Sequence, residues 1–274
     1  MSDALNALIA ENRRLRAAEE RLRALEASRW VRLNPDRFWR RYLRVPHSLS
    51  SAGAAARREG DSVHSDLELD PSIKRFREEI VSRGAFSHEW FLGNIPTWAP
   101  VLRHLEGRKV NLLEIGSFEG MSACFLLWRL PDATITCVDT FAGSVEHRLM
   151  NETSQLEAAF DANIALVDST RVQKLIGDSR RVLLELTSEE TRFDLVYVDG
   201  SHLGLDVIVD ASFAWQLLAP EGTIVFDDYR WAELGEDPLL RPGPAVDAFL
   251  TVIEGKYELL FAGYQLGVRK VSLA

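Results

Sequence analysis

The sequence predicts an α/β fold, in which a doubly wound sheet of seven strands is mostly parallel and ends in an antiparallel hairpin. Short runs rich in β-branched residues recur along residues 71–274, and helix-like segments separate the first five of them. Strands that alternate with helices are typical of a parallel sheet covered on both faces. Only Gly263 and Tyr264 separate the last two runs, which is too short for a crossover helix and therefore predicts a hairpin.

A helical extension is predicted before this sheet, over residues 1–45. Ala, Leu, Arg and Glu dominate residues 3–27, and no Gly or Pro interrupts them. Leu8, Leu15 and Leu22 recur at every seventh position, as in a coiled coil that would join two copies of the chain. Leu5 and Asn12 lie on the neighbouring seam, but Glu19 and Glu26 then occupy positions of that seam where a coiled coil needs apolar residues. A coiled coil and a single amphipathic helix therefore both remain open.

The end of the extension interleaves aromatic residues with arginines, between Trp30 and Leu43. Such a segment could lie on an anionic membrane surface. We favour the alternative that it packs on the protein's own main domain. Residues 46–70 are rich in Ser, Ala and Gly and are predicted to be a linker, which leaves 71–274 as the main domain.

Within the main domain the predicted strands, in chain order, are 110–115, 134–138, 171–176, 193–198, 222–226, 257–262 and 265–271. The helices that separate the first five are predicted at 119–130, 153–164, 178–187 and 203–218.

Charge and composition exclude several classes of protein. Residues 1–60 carry a net charge of +6 and the remainder carries −15. A nucleic-acid groove is not expected, because phosphate contacts need clustered Lys or Arg. No apolar run approaches the roughly 18 residues of a membrane span, and the Arg-rich start has no apolar signal-peptide core. Cys124 and Cys137 cannot form a secreted disulfide framework, so we expect a reducing cytoplasm.

The first strand runs into a glycine turn that is a candidate nucleoside site. Gly116 and Gly120 stand between this strand and the next helix, and Asp139 ends the second strand. A tight strand-to-helix turn alone would explain the glycines. Phe118 occupies the place of the middle glycine of a dinucleotide motif, and the two acids Glu114 and Asp139 suit a neutral or cationic nucleoside. These features weigh against NAD and towards S-adenosylmethionine, whose sulfonium is positive.

Carboxylates follow the fourth and fifth strands, at Asp199 and at Asp227 and Asp228. We expect these strands to be neighbours, about 4.8 Å apart, with their ends in the crevice where open α/β sheets bind ligands. Three crowded carboxylates repel one another unless a cation neutralises them, and oxygen ligands suit Mg²⁺. The alternative is that Asp199 begins a turn and Asp228 caps the next segment.

His202 lies three residues after Asp199 and is the candidate general base. Its ordinary pKa is near 6.5, so it could remove the proton of a hydroxyl whose pKa a metal has lowered. It could instead be a fourth metal ligand or orient Asp228. His147 is a second candidate, and lining of the pocket is its more plausible role.

Six segments resemble the class I S-adenosylmethionine-dependent methyltransferases, in the group of macrocin O-methyltransferase and the cephalosporin-hydroxylase-like proteins. They are LLEIGSFEG, VDTFAGSVEH, FDLVYVDGSH, GTIVFDDY, PAVDAFL and GYQLGVRK. The resemblance covers residues 71–274 and implies a Rossmann-like domain. It also implies methyl transfer to a hydroxyl of a sugar, glycan or other natural-product small molecule, often with magnesium.

The resemblance also implies roles for individual residues. Contacts to the methionine part would come from Glu114, Gly116, Ser117 and Gly120, contacts to the ribose from Asp139, contacts to adenine from Asp178 and Ser179, and metal ligation from Asp199, Asp227 and Asp228. Asp178 could equally cap the helix that follows it. We expect an in-line displacement, in which a metal-bound hydroxyl loses its proton towards His202 and attacks the sulfonium methyl. From their positions in the sequence, Trp90, Trp98 and Trp231 would wall the acceptor pocket, although core packing would explain any single tryptophan equally well.

Two other functions are compatible with the sequence. One is a NAD-dependent oxidoreductase on a Rossmann-type sheet, and the other is a non-catalytic scaffold that uses the N-terminal coil.

Overall fold

A computed structural model describes residues 71–143, 155–232 and 237–271. The chain divides into two compact units, and all of the described residues belong to the second, Ala54–Ala274. The predicted helical extension, the linker and His147 lie outside the described residues. No helix in the described part of the chain is both long and apolar enough to span a bilayer.

The helices and strands follow the predicted order closely. The strands are β1 Val110–Ile115, β2 Ala133–Asp139, β3 Val172–Ile176, β4 Phe193–Val198, β5 Leu218–Phe226, β6 Tyr257–Ala262 and β7 Leu266–Lys270. The α-helices are α1 Pro71–Glu79, α2 Ile95–Leu102, α3 Met121–Arg129, α4 Leu156–Ile164, α5 Ser179–Ser188, α6 Gly204–Leu217 and α7 Pro242–Val252. Short 3₁₀ helices are Val81–Arg83, Trp90–Asn94, Ser169–Arg171 and Pro238–Leu240.

The described strands form one seven-stranded sheet in the order β3-β2-β1-β4-β5-β7-β6. The first five strands are parallel, and β7 runs antiparallel to both β5 and β6. The predicted doubly wound sheet with an antiparallel C-terminal hairpin is therefore confirmed. The connection between β6 and β7 has three residues, Gly263, Tyr264 and Gln265, one more than the two that the sequence pattern indicates.

Side chains of the central strands alternate between two separate hydrophobic cores. Leu112 and Tyr197 face the core that includes α1 to α4, whereas Leu113 and Val198 face the core that includes α5, α6 and α7. Both faces of these strands are buried, as is typical of a parallel sheet between helical layers. The sheet therefore leaves its strand ends, rather than its faces, available for ligands.

The strand order puts a topological switch point at the carboxyl ends of β1 and β4. From β1 the chain builds outward to β2 and β3, then returns to the other side of β1 with β4. Helices on the two sides diverge at such a point and leave a crevice between them. The glycine turn after β1 and the aspartates after β4 and β5 all lie at this edge.

Candidate active site

The glycine turn after β1 needs its glycines for backbone geometry. Gly116 has φ of +86° and Gly120 has φ of +79°, values that residues with a Cβ rarely adopt. A Cβ on Gly116 would stand 2.0 Å from the carbonyl oxygen of Asp199 and 2.6 Å from the Cα of Gly200. Gly116 thus allows the turn after β1 to lie directly against the turn after β4, which joins the candidate nucleoside site to the strand-tip aspartates.

Asp139 organises this turn, a role that the sequence did not indicate. Its Oδ2 accepts hydrogen bonds from the backbone N–H groups of Ser117, at 2.7 Å, and Phe118, at 2.8 Å. Its Oδ1 accepts another from the N–H of Phe141, at 2.7 Å. The backbone N–H groups of residues 117 and 118 therefore point to Asp139. From a glycine turn alone, one would expect them to face a ligand. Each carboxylate oxygen can accept more than one hydrogen bond, so Asp139 retains capacity for a hydroxyl.

Glu114 is fully buried at 0% exposure. Its carboxylate accepts hydrogen bonds from the hydroxyl of Ser122 and the thiol of Cys137. Burial raises the pKa of Glu114 to about 7, and the hydrogen bonds of Ser117 and Ser122 oppose that rise only in part. In this arrangement the Glu114 side chain contacts residues that flank the turn, and its predicted contact with a methionine group stays a prediction.

We expect Glu114→Gln to remove a pH dependence of stability. Because burial raises the pKa of Glu114 from 4.5 to about 7, the unfolded chain releases this proton at lower pH than the folded chain does. The free energy of unfolding of the wild type should therefore fall by about 3 kcal/mol as pH rises from 4.5 to 7. Glu114→Gln should not show this fall. Urea unfolding at several pH values measures the difference. Glu185→Gln, at an exposed ion pair with Arg181, should keep the wild-type slope.

Asp178 and Ser179 lie at the start of α5, where they have structural partners. Asp178 caps the helix, since its Oδ1 accepts from the N–H of Arg180 at 3.2 Å. The hydroxyl of Ser179 donates to Oδ1 of Asp210 at 2.7 Å. Asp210 is buried on α6, and burial raises its pKa to about 7. The sequence did not single out Asp210, because one acid in an amphipathic helix looks like a surface residue.

The three strand-tip aspartates and His202 line one pocket, as the sequence predicts for neighbouring strand ends. The ladders continue past the strands, because the N–H of Asp199 donates to the carbonyl of Ile115 at 2.8 Å and that of Asp227 to Val198 at 2.9 Å. Asp228 has φ of +54°, an unusual backbone conformation for a residue other than glycine. Such conformations cluster at functional sites.

The carboxylates in this pocket repel one another. Burial, and then the charges of Asp227 and Asp228, raise the pKa of Asp199 well above its ordinary value of 3.8. Burial and the charge of Asp228 likewise raise the pKa of Asp227 to about 6. Crowded carboxylates of this kind favour either protonation or a cation, and their oxygen atoms together with an imidazole suit a hard divalent ion. Within the described ranges no three His, Cys, Asp or Glu side chains are already arranged as a metal-binding group.

His202 is held on two sides. Its Nε2 lies 2.8 Å from Oδ2 of Asp228, and its ring lies against that of Trp231, with centroids 4.3 Å apart. Of the three roles that the sequence leaves open, the contact with Asp228 matches the orienting role directly. It is also compatible with the general base, since a carboxylate partner fixes the tautomer of a histidine.

The three predicted pocket tryptophans differ in position. Trp231 lies in the site beside His202. Trp90 is 56% exposed and stacks on His88 with ring centroids 4.0 Å apart. Trp98 is completely buried, so the expectation that it walls the acceptor pocket is wrong. It lies on α2, whose apolar face packs into the core, and its ring fills space among core side chains instead of lining a pocket.

Sequence reasoning missed Tyr197, Tyr264 and Gln265. The hydroxyl of Tyr197 donates to Oδ2 of Asp227, and the hydroxyl of Tyr264 donates to Oδ1 of Asp228 at 2.5 Å. Tyr197 could have been found from strand alternation, since it precedes Asp199 by two residues and must share its face. The hairpin residues could not, because their approach depends on the pairing of β7 with β5.

Residues 113–229 match the family model described as a methyltransferase domain. No curated protein matches the chain. The fold is that of several solved structures. The MycE methyltransferase of the mycinamycin biosynthetic pathway, solved with Mg and SAH, is 19% identical and has a TM-score of 0.52. The match covers 74% of this chain and 55% of MycE, so the chain spans about half of that protein. A second MycE structure also contains mycinamycin VI.

Two shorter proteins match over most of their length. A putative O-methyltransferase from Klebsiella pneumoniae is 20% identical, with 74% of this chain and 91% of that chain covered and a TM-score of 0.52. A protein from Corynebacterium glutamicum is 22% identical, with 80% and 98% covered and a TM-score of 0.51. At these identities the structural likeness establishes the fold.

Proposed function

We propose that the protein is an S-adenosylmethionine-dependent O-methyltransferase, which fits the match of residues 113–229 to a methyltransferase domain. Its acceptor is a hydroxyl of a sugar, a glycan or another natural-product small molecule, and a divalent cation such as Mg²⁺ assists the transfer. One observation carries the proposal: Asp199, His202, Asp227 and Asp228 line a single pocket. The Gly116 turn lies in contact with the backbone of Asp199 beside it.

Two neighbours support the choice of acceptor and cation. MycE has been solved with Mg, SAH and mycinamycin VI, a small-molecule substrate, and the Klebsiella pneumoniae protein is described as a putative O-methyltransferase. Both share the fold of this chain, so a small-molecule hydroxyl is the acceptor class that we assign to the pocket.

We assign the methyl donor to the crevice over the glycine turn. Gly116, Ser117 and Gly120 would border its methionine part, and Asp139 would reach its ribose with the oxygen capacity that the turn amides leave. Asp178 and Ser179 would border adenine. Glu114 acts through other residues in this proposal, because it is buried beneath the turn and bonded to Ser122.

Asp199, Asp227 and Asp228 would hold the cation. A bound divalent ion lowers the pKa of a coordinated hydroxyl and orients it, and the sulfonium donor supplies an already activated methyl group. His202 is the proposed general base. The carboxylate of Asp228, 2.8 Å from Nε2, and the ring of Trp231 orient its imidazole.

The remaining expectations belong to this proposal. Cys124 and Cys137 are both buried free thiols, which suits a reducing cytoplasm. The coiled coil and the homodimer that it would form stay predictions, because residues 1–45 lie outside the described part of the chain.

The test is an acceptor screen with isotope-labelled S-adenosylmethionine, run with Mg²⁺ and with EDTA. We expect label to enter sugar-bearing natural products and the rate to fall with EDTA. Transfer that is unchanged by exhaustive chelation would contradict the cation while leaving the methyl donor in place. Label that enters nucleic acid instead of any small molecule would contradict the acceptor class.

A further inference from the structure

The turn between β6 and β7 lies beside the strand-tip aspartates. β7 pairs antiparallel with β5, and the last pair in that register is Phe226 with Leu266. Gln265 and Tyr264 immediately precede Leu266 in the turn, just as Asp227 and Asp228 immediately follow Phe226. The side chain of Tyr264 contacts that of Asp228. The segment GYQLGVRK, which the proposed function does not use, therefore reaches the pocket from the antiparallel side of the sheet.

A buried chain of hydrogen bonds leads from the core to Asp227. The indole N–H of Trp98 donates to Oε1 of Gln265 at 2.8 Å, and Nε2 of Gln265 donates to the hydroxyl of Tyr197 at 3.2 Å. The hydroxyl of Tyr197 donates in turn to Oδ2 of Asp227. Trp98, Tyr197 and Gln265 are all buried, and the rings of Trp98 and Tyr197 pack edge to face with centroids 4.9 Å apart.

The donor-to-acceptor direction of this series of hydrogen bonds is fixed at Trp98. An indole N–H can only donate, so it selects the oxygen of Gln265 and turns the amide nitrogen towards Tyr197. The Tyr197 hydroxyl accepts from that nitrogen, which leaves its proton for Asp227. Asp227 Oδ1 accepts from the N–H of Asp228 at 2.8 Å, so both oxygens of Asp227 are fixed in direction.

Asp228 is held in the same way by two side chains. Oδ1 accepts from the hydroxyl of Tyr264 at 2.5 Å, and Oδ2 lies 2.8 Å from Nε2 of His202. Each of these oxygens uses one lone-pair direction on its partner and keeps another for a ligand. The orientation of both carboxylates is therefore set by residues from β4, from the β6–β7 turn and from the segment after β4.

We propose that Tyr197, Gln265 and Tyr264 are positioning residues that orient the carboxylates of Asp227 and Asp228 for a divalent cation. The proposal rests on the cation site of the proposed function. Outer partners of this kind typically change metal affinity by 10-fold to 100-fold when they are removed. Tyr197 and Gln265 act on Asp227, and Tyr264 acts on Asp228.

The experiment measures Mn²⁺ binding to the full-length protein by electron paramagnetic resonance, in the wild type, Tyr197→Phe and Tyr264→Phe. The matched control is Tyr229→Phe, which removes a hydroxyl that donates to the exposed Asp247 at 2.8 Å. We expect the wild type to bind Mn²⁺, both test variants to bind it about 10-fold or more weakly, and the control to bind within about twofold of the wild type.

Two further readouts separate positioning from general damage. The unfolding midpoint in EDTA and the affinity for S-adenosylhomocysteine should stay close to wild type in Tyr264→Phe, because Tyr264 is 52% exposed. This variant decides the question if Tyr197→Phe does not fold. Wild-type Mn²⁺ affinity in Tyr264→Phe would overturn the positioning role of the turn and leave the proposed function intact. A wild-type protein that binds no Mn²⁺ would overturn the positioning role and the proposed cation site together.

Discussion

Gly116→Ala is expected to destabilise the domain by roughly 3–5 kcal/mol, at the upper end of what single substitutions do. Two causes add. The φ of +86° is strained for any residue with a Cβ, and the new Cβ would lie 2.0 Å from the carbonyl oxygen of Asp199. That neighbour is backbone at the end of β4 and has no rotamer by which to withdraw, so the turns after β1 and β4 would have to separate. Denaturant unfolding measures the loss.

Gly107→Ala is the matched control for the backbone conformation alone. Gly107 has φ of +69°, and nothing lies within 4 Å of the position that its Cβ would take. This variant should cost only about 1–2 kcal/mol, the usual penalty for a left-handed residue with a side chain. Equal losses for Gly116→Ala and Gly107→Ala would show that the close approach of the two turns does not exist.

Asp199→Asn is expected to reduce methyl transfer by roughly 10²-fold or more while making the cation-free protein more stable. Burial and the charges of Asp227 and Asp228 raise the pKa of Asp199. Ionisation of this carboxyl therefore opposes folding as the pH rises above 3.8, the ordinary pKa of an aspartate. The amide removes that cost at pH 8, but also removes a proposed ligand.

Thermal unfolding at pH 8, with EDTA and then with Mg²⁺, tests the second prediction. The wild type should gain stability from Mg²⁺, because a ligand that binds only the folded state stabilises it, and Asp199→Asn should gain less. The control is Asp194→Asn at the opposite end of β4, where Asp194 accepts from the N–H of Asn111 at 2.9 Å. An Asp199→Asn variant that is less stable than the wild type in EDTA, or fully active, would contradict the proposed role of the carboxylate cluster.

The fold was predictable because its pattern is local. Runs of β-branched residues, the helices between them and the short β6–β7 connection determine which strands are parallel and where antiparallel pairing begins. The start of one strand differs from the prediction: β5 begins at Leu218 instead of at residue 222, and it includes Pro220, a residue type that is unusual inside a strand. The buried position of Trp98 could not be read from the sequence, because it depends on how α2 packs.

The site was predictable in its residues and less so in their contacts. Strand ends placed Asp199, Asp227, Asp228 and His202 in one pocket, as expected. The hydrogen bonds of Asp139 were not predictable. Its bonds from the amides of the glycine turn depend on a loop conformation that residue spacing does not specify. The Tyr264 and Gln265 contacts arise from antiparallel register across strands distant in the chain, and a single sequence carries no direct signal of that pairing.

The most direct measurement of the central proposal is a pair of calorimetric titrations, with S-adenosylhomocysteine and with NAD. We expect one molecule of S-adenosylhomocysteine to bind per chain and NAD to give no binding heat, because the turn after β1 adjoins acidic strand tips and lacks the middle glycine of a dinucleotide site. Tight binding of NAD without binding of S-adenosylhomocysteine would contradict the methyltransferase function.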